Sequence, residues 1–272
     1  MFFAFFRLFM IAFSTIIAVA LVIGALRLLG ENQQYSVAPH PLLEKRPLVV
    51  AWGGDSTSSP AFTAGAYAAA AKNNFLLGVD LRLSFDGVWY VYPDKYLKEK
   101  AGQFVTHTTS EDLDRLKFAN SNEPIMRFDQ LIKLLPQSQY YVVIENPASI
   151  YLEKVFLTIE AAHIESQFIL SSPFADTTKF LRERNAKWIT DSTTAETAKS
   201  KLLASLFLEP LITTTGEVMT LDHEDSRLMR EMRKRHLAVL LRSDDAAQVR
   251  ALLKDDLISG VVTSRPSQFL PH

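Results

Sequence analysis

The sequence predicts an α/β fold, a (β/α)8 TIM-barrel-like domain preceded by one N-terminal transmembrane helix. Three observations predict it. Short β-rich runs alternate with stretches of helical apolar spacing along most of the 272 residues, which is the pattern of parallel βα units. Eight such runs remain once one hairpin strand is set aside, and eight is the strand number of this barrel. A long uncharged apolar segment stands first in the chain.

The composition excludes several classes of protein. With 48% hydrophobic and 22% charged residues, the chain is globular rather than disordered. Its 29 Lys and Arg against 30 Asp and Glu give a net charge of -1, which argues against a nucleic-acid partner. Because cysteine is absent, disulfide scaffolds, thiolate zinc sites, iron–sulfur clusters and a cysteine nucleophile are excluded.

Residues 1–30 predict a membrane anchor, so we expect the lipid bilayer to be one partner of the chain. The 19 residues from Leu8 to Leu26 carry no charge and as a helix would be roughly 28 Å long, close to the thickness of a bilayer core. The alternative is a cleaved signal peptide, whose apolar region is shorter and ends in a small-x-small site. One arginine on each side, Arg7 and Arg27, says little about orientation. The positive charge of the N-terminal amine favours a cytoplasmic N-terminus, which places the barrel on the extracytoplasmic side of the membrane.

The rest of the chain divides into a short tether, residues 31–47, and a barrel domain, residues 48–272. The tether is polar and contains three prolines, as is typical of linkers. The predicted strands of the domain are Leu48–Trp52, Gly78–Leu83, Val88–Tyr92, Tyr141–Glu145, Phe168–Ser171, Lys187–Thr190, a weaker run within Ser205–Ile212, Ala238–Leu241 and Ser259–Thr263. The predicted helices are Ala61–Asn73, Phe128–Leu135, Ile150–Ile164, Thr177–Asn185, Ser226–Arg235 and Ala246–Asp255.

The turn Asp86-Gly87 makes Val88–Tyr92 a hairpin partner of the second strand rather than a strand of the barrel. Eight strands then remain for the closed barrel. An open, doubly wound sheet is the alternative that the same alternation allows.

Eight local motifs follow one another along residues 48–270. In chain order they are Ala51-Trp52-Gly53-Gly54, Ser59-Pro60-Ala61-Phe62-Thr63-Ala64, Val79-Asp80-Leu81-Arg82, Asp86-Gly87, Val91-Tyr92-Pro93-Asp94, Ile144-Glu145-Asn146-Pro147, Leu170-Ser171-Ser172-Pro173-Phe174 and Gly260-Val261-Val262-Thr263-Ser264-Arg265-Pro266. The set resembles, in order and spacing, the glycerophosphodiester phosphodiesterase family, a branch of the phosphatidylinositol phospholipase C-like barrels. The corresponding motifs of that family are H-R-G, P-E-N-T, E-x-D, D-G, H-D, E-x-K, S-S-F and G-I-I-T-D-R-P.

The resemblance implies a phosphoric diester hydrolase in which two histidines act as general acid and base. Imidazole suits that role because its pKa lies near neutrality. It also implies a divalent cation, held by the E-x-D carboxylates and a later acidic residue, that neutralises the phosphate.

This chain departs from that pattern at most of the positions that carry the chemistry. Trp52 and Pro93 stand where the resemblance places the two histidines, and Gly53 stands at the arginine position. Ala61 replaces the glutamate of P-E-N-T. Asp80 and Arg82 replace the E-x-D pair, and Glu145 keeps the later carboxylate.

We therefore expect Arg82 to substitute for the cation and to form an ion-pair cluster with Asp80 and Glu145. An octahedral oxygen cage for calcium or magnesium cannot be built with a guanidinium inside it, so no metal and no other cofactor is predicted. The alternative interpretation is a surface arginine on a strand of different register.

The sequence thus predicts a membrane-anchored phosphodiesterase-like barrel that has lost or weakened its hydrolytic activity. Such a domain would bind a phospholipid-derived ligand or an envelope protein partner. Trp52 and Phe62, large apolar residues at former site positions, favour a filled mouth and the protein partner. The alternative is an active hydrolase of glycerophosphodiesters that uses a non-standard residue set, Asp80, Glu145 and His107.

Overall fold

The computed structural model describes residues 13–15, 17–19, 21–22, 40–44, 47–117, 123–145, 149–174, 177, 180–181, 184, 188–193, 217–234 and 236–270. The chain divides into two compact units. One comprises Met1–Ser36 with Thr197–Thr213, and the other comprises Val37–Glu196 with Thr214–His272. In the first unit the described residues, 13–15, 17–19 and 21–22, are helical and exposed.

The predicted anchor falls mostly outside the described residues, since 1–12 and 23–30 are not among them. Within the described ranges, no helix combines the length and the apolar character that a bilayer-spanning helix needs. Most of the predicted tether also lies outside those ranges. Its described residues are 40–44 and 47, of which Pro41–Glu44 form a short helix, α1, and Leu42 of that helix is buried.

The second unit is a closed barrel of eight parallel strands. The strands are β1 Leu48–Trp52, β2 Leu76–Leu83, β4 Tyr140–Ile144, β5 Phe168–Ser172, β6 Ile189–Thr193, β7 Val218–Leu221, β8 Ala238–Arg242 and β9 Gly260–Thr263. Each pairs with the next in this order, and β1 pairs with both β2 and β9. This closure confirms the barrel and excludes the open, doubly wound sheet.

One further strand, β3 (Trp89–Tyr90), is not part of the barrel. It pairs antiparallel with the end of β2 and confirms the predicted hairpin. The turn between them needs Gly87, whose φ is +82°, a conformation that costs glycine little. Asp86 fixes the turn by accepting hydrogen bonds from the Ser84 hydroxyl and from the Ser110 amide and hydroxyl.

Helices connect the strands of the barrel. Those whose bounds lie within the described residues are α2 Ala64–Lys72, α3 Asp94–Ala101, α4 Ser110–Arg115, α5 Phe128–Leu134, α6 Ser149–Ala161, α7 Ser226–Lys234 and α8 Ala246–Lys254. Side-chain caps fix where several of them begin. The Thr63 hydroxyl accepts from the Ala66 amide before α2, and Asp245 accepts from the Ala247 and Gln248 amides before α8. These caps satisfy amides that lack a partner within the first turn.

One cluster of the core lies inside the barrel, where alternate strand residues point inward. Its members are buried and apolar: Leu42, Leu48, Val50, Leu76, Tyr141, Val143, Ile169, Ile189, Val218, Ala238, Leu240 and Val262. Because Leu42 belongs to this cluster, α1 packs on the barrel end that contains the amino ends of the strands. The opposite end, at the carboxyl ends of the strands, is called the barrel mouth here.

One strand of the barrel was not predicted. The seventh strand is β7, Val218–Leu221, where the sequence predicted none. The run within Ser205–Ile212 lies outside the described residues. β7 is four residues long and places polar Thr220 in a buried position, so its apolar signal is weak. β6 likewise extends beyond the predicted Thr190, because Asp191 is buried in the strand instead of ending it.

Candidate functional site at the barrel mouth

Strand β2 brings Asp80 and Arg82 to the same face, because strand residues two apart point the same way. Leu76 on that face belongs to the interior cluster, so the face is inward. The Arg82 guanidinium contacts the Asp80 carboxylate twice, with Nε 2.8 Å from Oδ1 and Nη2 3.3 Å from Oδ2. Asp80 is 4% exposed, so this ion pair lies largely out of water.

Glu145 joins the pair from the next strand. It directly follows β4, which pairs with β2 in parallel so that Leu81 stands opposite Ile144. Carboxyl ends of neighbouring parallel strands meet at one end of the barrel. The Glu145 carboxylate is ion-paired with Nη1 of Arg82. The structure therefore brings Asp80, Arg82 and Glu145 together, with Arg82 between the two carboxylates.

Burial and charge compete at these groups. Burial raises the pKa of Asp80 to about 6, although the neighbouring Arg82 acts in the opposite direction. Burial would lower the pKa of Arg82, but Asp80 and Glu145 together more than offset it, so that pKa is raised. Arg82 thus stays a cation, and Asp80 can exchange a proton near neutral pH.

The residues of this cluster do not fit a divalent cation. Hard cations need several converging oxygen atoms, and here the carboxylate oxygens of Asp80 and Glu145 converge on guanidinium nitrogens. Throughout the described ranges, no group of three or more His, Cys, Asp or Glu side chains is placed to hold a metal ion. The half-buried guanidinium of Arg82 stands where the resemblance implies the metal.

Aromatic side chains fill the part of the mouth next to β1. Trp52 ends that strand and makes an edge contact with Phe62, with ring centroids 6.2 Å apart. Phe62 makes a second edge contact with Tyr92 at 5.9 Å. Phe62 and Tyr92 are buried and Trp52 is half-buried. Trp52, at the first histidine position of the resemblance, therefore lies against an apolar ring, and Pro93, at the second, follows Tyr92 and precedes α3.

The backbone around these rings is unusual. Gly53 has a φ of +73°, and Phe62 has a φ of +65°, which is costly for a bulky residue. The Phe62 amide donates to the Gly53 carbonyl at 2.7 Å. A Cβ atom at Gly53 would lie 2.9 Å from the Phe62 ring, so the glycine allows the ring to pack there. Ala61, in the same loop, is half-buried and carries no ionisable group.

A second arginine lies over Trp52. The Arg242 guanidinium, at the end of β8, is 4.8 Å from the centroid of a Trp52 ring. Its Nε is 3.1 Å from Oδ1 of Asp222, which follows β7. Arginine and tryptophan attract one another in this arrangement through a cation–π contact.

Sequence reasoning missed a buried polar cluster inside the barrel, formed by Asp191, Tyr141 and Thr220. Asp191 accepts hydrogen bonds from the Tyr141 hydroxyl, and from the Thr220 amide at 2.9 Å and hydroxyl at 2.8 Å. Burial raises the pKa values of both Asp191 and Tyr141. The signal was the alternation Ile189, Asp191, which places both side chains inward on β6.

His107 does not join the carboxylate pair. Its ring packs edge-on against Phe104, with centroids 5.4 Å apart, at the end of the short 3-10 helix Val105–His107 that follows α3. His107 is exposed. It is Arg82 that contacts Asp80 and Glu145, so the non-standard residue set would have to assemble by a rearrangement of that ion-pair cluster.

No protein-family model and no curated protein matches the chain. Among solved structures, a glycerophosphodiester phosphodiesterase from Agrobacterium tumefaciens is similar at TM-score 0.63 and 19% identity, over 81% of this chain and 96% of that one. One from Parabacteroides distasonis has TM-score 0.64 and 13% identity, over 82% and 95%. An Oleispira antarctica phosphodiesterase, solved in complex with its product sn-glycerol-3-phosphate, has TM-score 0.62 and 15% identity, over 82% and 95%. The chain therefore has the closed (β/α)8 barrel fold of solved glycerophosphodiester phosphodiesterases.

Proposed function

We propose that this protein is a membrane-anchored, phosphodiesterase-like barrel without metal-dependent hydrolytic activity, and that it acts as a binding or interaction module. The observation that carries the proposal is the position of Arg82 between Asp80 and Glu145. A fold hosts many functions, so the residues at the mouth decide this one.

The two positions to which the resemblance assigns acid–base histidines do not supply that chemistry. Trp52 and Pro93 cannot transfer a proton at neutral pH. Arg82 is neutralised by two carboxylates, so its charge is not available to neutralise a phosphodiester. Loss of general acid–base catalysis and of a metal each costs orders of magnitude in rate.

The partner of the proposed module is an envelope protein or a phospholipid-derived headgroup. The packing of Trp52, Phe62 and Tyr92 supports the protein partner, because these rings fill space that a small ligand would need. The uncharged run from Leu8 to Leu26 supports anchoring in the membrane. Resistance of the full chain to alkaline extraction from membranes tests the anchor, and release into the soluble fraction would refute it.

A second candidate function is hydrolysis of glycerophosphodiesters with a non-standard residue set. One observation favours it: burial raises the pKa of Asp80 to about 6, and a general base works best with a pKa near the working pH. In this version Arg82 would have to release Asp80 before the carboxylate could accept a proton.

Hydrolysis of glycerophosphocholine and glycerophosphoethanolamine by the full chain in detergent micelles separates the two candidates. Calcium, magnesium and EDTA are compared, with the Agrobacterium tumefaciens phosphodiesterase as the positive control. We expect turnover more than about 100-fold below the control, a difference of ~2.7 kcal/mol in barrier, and no effect of EDTA. Metal-dependent turnover within about 100-fold of the control would refute the proposal.

A further inference from the structure

Three cations of α7 lie on one exposed side of the helix. They are Arg227, Arg230 and Lys234, whose spacing of three and four residues makes them neighbours on a helix surface. Met229 and Met232, on the other side, are buried, and α7 packs on β8. We call the three cations the basic line.

Helix stability does not account for the basic line. Arg227 lies in the first turn of α7, where the positive end of the helix dipole disfavours a cation. Arg230 and Lys234 are four residues apart, a spacing at which like charges repel each other. Glu231 offsets only part of this charge. It is the one carboxylate within Ser226–Lys234, and its oxygen is 3.7 Å from Nζ of Lys234.

Arg233 of the same helix shows how the fold uses a cation. Its Nη2 is 2.8 Å and 2.9 Å from the two carboxylate oxygens of Asp256, and its Nε donates to the Asp256 carbonyl. The Arg233 side chain is 19% exposed and holds α7 to the residues that follow α8. The Lys234 side chain, in contrast, is 75% exposed. The basic line thus stays at the surface while Arg233 serves the packing of the barrel.

We propose that the basic line binds the surface of an anionic phospholipid bilayer. The inference rests on the proposed function in one respect, since the predicted anchor brings the barrel to a membrane. It goes further, because it names the face of the barrel that contacts lipid headgroups and the charge of those lipids. Each Lys or Arg close to an anionic surface strengthens binding about fivefold, so the basic line outweighs the single carboxylate of Glu231.

The connectivity of the chain favours a membrane as the occupant of this face. The unit that contains the predicted anchor comprises Met1–Ser36 and Thr197–Thr213, so the chain passes between that unit and the barrel unit three times. Two of these passages fall in the connection from β6 to β7, and α7 is the helix that follows β7. The basic line is therefore close along the chain to the unit that is predicted to be anchored.

The contact is electrostatic and involves no insertion into the bilayer. The apolar side of α7, with Met229 and Met232, is already buried, so it cannot turn towards acyl chains as a free amphipathic helix does. Contacts made by exposed charged side chains are screened by salt. A nucleic acid fits this face less well, because its affinity comes from many phosphate contacts and the net charge of the chain is -1.

The test uses the full chain, whose lack of cysteine allows a dye at a single position. Glu231→Cys carries an environment-sensitive dye beside the basic line. The protein is reconstituted into vesicles of phosphatidylcholine, with or without about 30% phosphatidylglycerol. We expect dye emission to be at least about twofold higher in the anionic vesicles. About 0.5 M sodium chloride should abolish the difference, because it shortens the screening length to about 4 Å.

The variant that removes the basic line should lose this response. In the labelled background it is Arg227→Gln/Arg230→Gln/Lys234→Gln. We expect equal dye emission in the two kinds of vesicle. We also expect a melting temperature within about 2 °C of the labelled parent, because glutamine is a good helix former and the removed charges repel one another.

A matched variant removes the same charge elsewhere and should keep the response. It is Lys72→Gln/Lys95→Gln/Lys133→Gln, at exposed positions on α2, α3 and α5. A second control moves the dye to Leu134→Cys on α5. That side chain is 51% exposed and belongs to the opposite side of the ring of eight strands, so its dye should not respond to anionic lipid.

Two results would overturn the inference. One is dye emission at position 231 that is equal in neutral and anionic vesicles at low salt. The other is a response to anionic vesicles that persists after the basic line is removed. Failure of the anchor would appear separately, because the full chain would then not float with neutral vesicles. Flotation with anionic vesicles that requires the basic line would still support the inference.

Discussion

Arg82 on β2 is ion-paired with Glu145, the residue that follows the neighbouring strand β4. The same guanidinium also contacts Asp80, so a single cation joins two strands at the barrel mouth. Breaking a largely buried ion pair by removing one partner is costly, because the other charge stays behind without compensation.

Arg82→Ala should therefore lower the free energy of unfolding by about 3 kcal/mol, at the lower end for buried pairs because Glu145 remains in contact with water. Arg115→Ala is the matched control. Its side chain is 68% exposed and pairs with Glu111 on one helix, so its loss should cost less than about 0.5 kcal/mol. Denaturation of the full chain in detergent, followed by tryptophan fluorescence, measures both values. Equal losses would contradict a structural role for Arg82.

The stability of the protein should depend on pH through Asp80. Burial raises the pKa of Asp80 to about 6, above its value of about 3.9 in an unfolded chain. The neutral carboxyl thus favours the folded state. That contribution is complete below about pH 4 and is lost as the pH rises through about 6.

Relative to Asp80→Asn, the wild type should lose about 2–3 kcal/mol of stability between pH 4 and pH 7. The comparison isolates Asp80, because the neighbouring Arg82, Glu145, Asp94 and Tyr67 are present in both proteins. Unfolding free energies measured across this range give the result. If the difference in unfolding free energy between the two proteins does not change with pH, or shifts in favour of the wild type as the pH rises, the effect of Arg82 on the pKa of Asp80 outweighs that of burial.

At Phe62, the glycine variant should be more stable than the alanine variant, which reverses the usual order of stability. Either change removes a buried ring and should cost about 3–5 kcal/mol. Alanine keeps a Cβ atom in a left-handed conformation, with φ at +65°, and glycine does not. Phe62→Gly should therefore be more stable than Phe62→Ala by about 1 kcal/mol. Phe168, buried within β5, is the control and should show the usual order, with glycine less stable. The usual order at both positions would contradict the strained backbone.

The buried cluster around Asp191 should contribute to stability in the same way. Asp191→Ala leaves the Tyr141 hydroxyl and both the amide and hydroxyl of Thr220 without their acceptor, and should cost about 3 kcal/mol. Tyr141→Phe should cost about 1–2 kcal/mol. Asp129→Ala, at an exposed pair with Lys133, should stay within about 0.5 kcal/mol. Thermal unfolding of the three variants would rank them, and an Asp191→Ala melting point equal to that of Asp129→Ala would refute the cluster's role.

Much of the barrel could be predicted because its strands are short apolar runs between turn residues, as at Leu48–Trp52 and Ala238–Arg242. β7 could not, since a four-residue strand with buried Thr220 depends on partners from other strands. Asp191 was missed for the same reason. Tertiary hydrogen bonds decide whether a polar residue ends a strand or is buried in it.

At the mouth, the grouping of Asp80, Arg82 and Glu145 could be predicted from the sequence. Strand periodicity and parallel pairing fix which side chains share an end of the barrel. The contacts of Phe62 and Arg242 could not be predicted in this way. They depend on loop conformation at Gly53 and on the reach of a long side chain across the mouth.

The central claim is that Arg82 occupies the position between Asp80 and Glu145 that a divalent cation would need. Crystals of the full chain grown in manganese chloride, with data collected at the manganese edge, test it most directly. The expected result is guanidinium density between the two carboxylates and no anomalous peak there. An anomalous peak between Asp80 and Glu145, with Arg82 turned towards solvent, would contradict the claim.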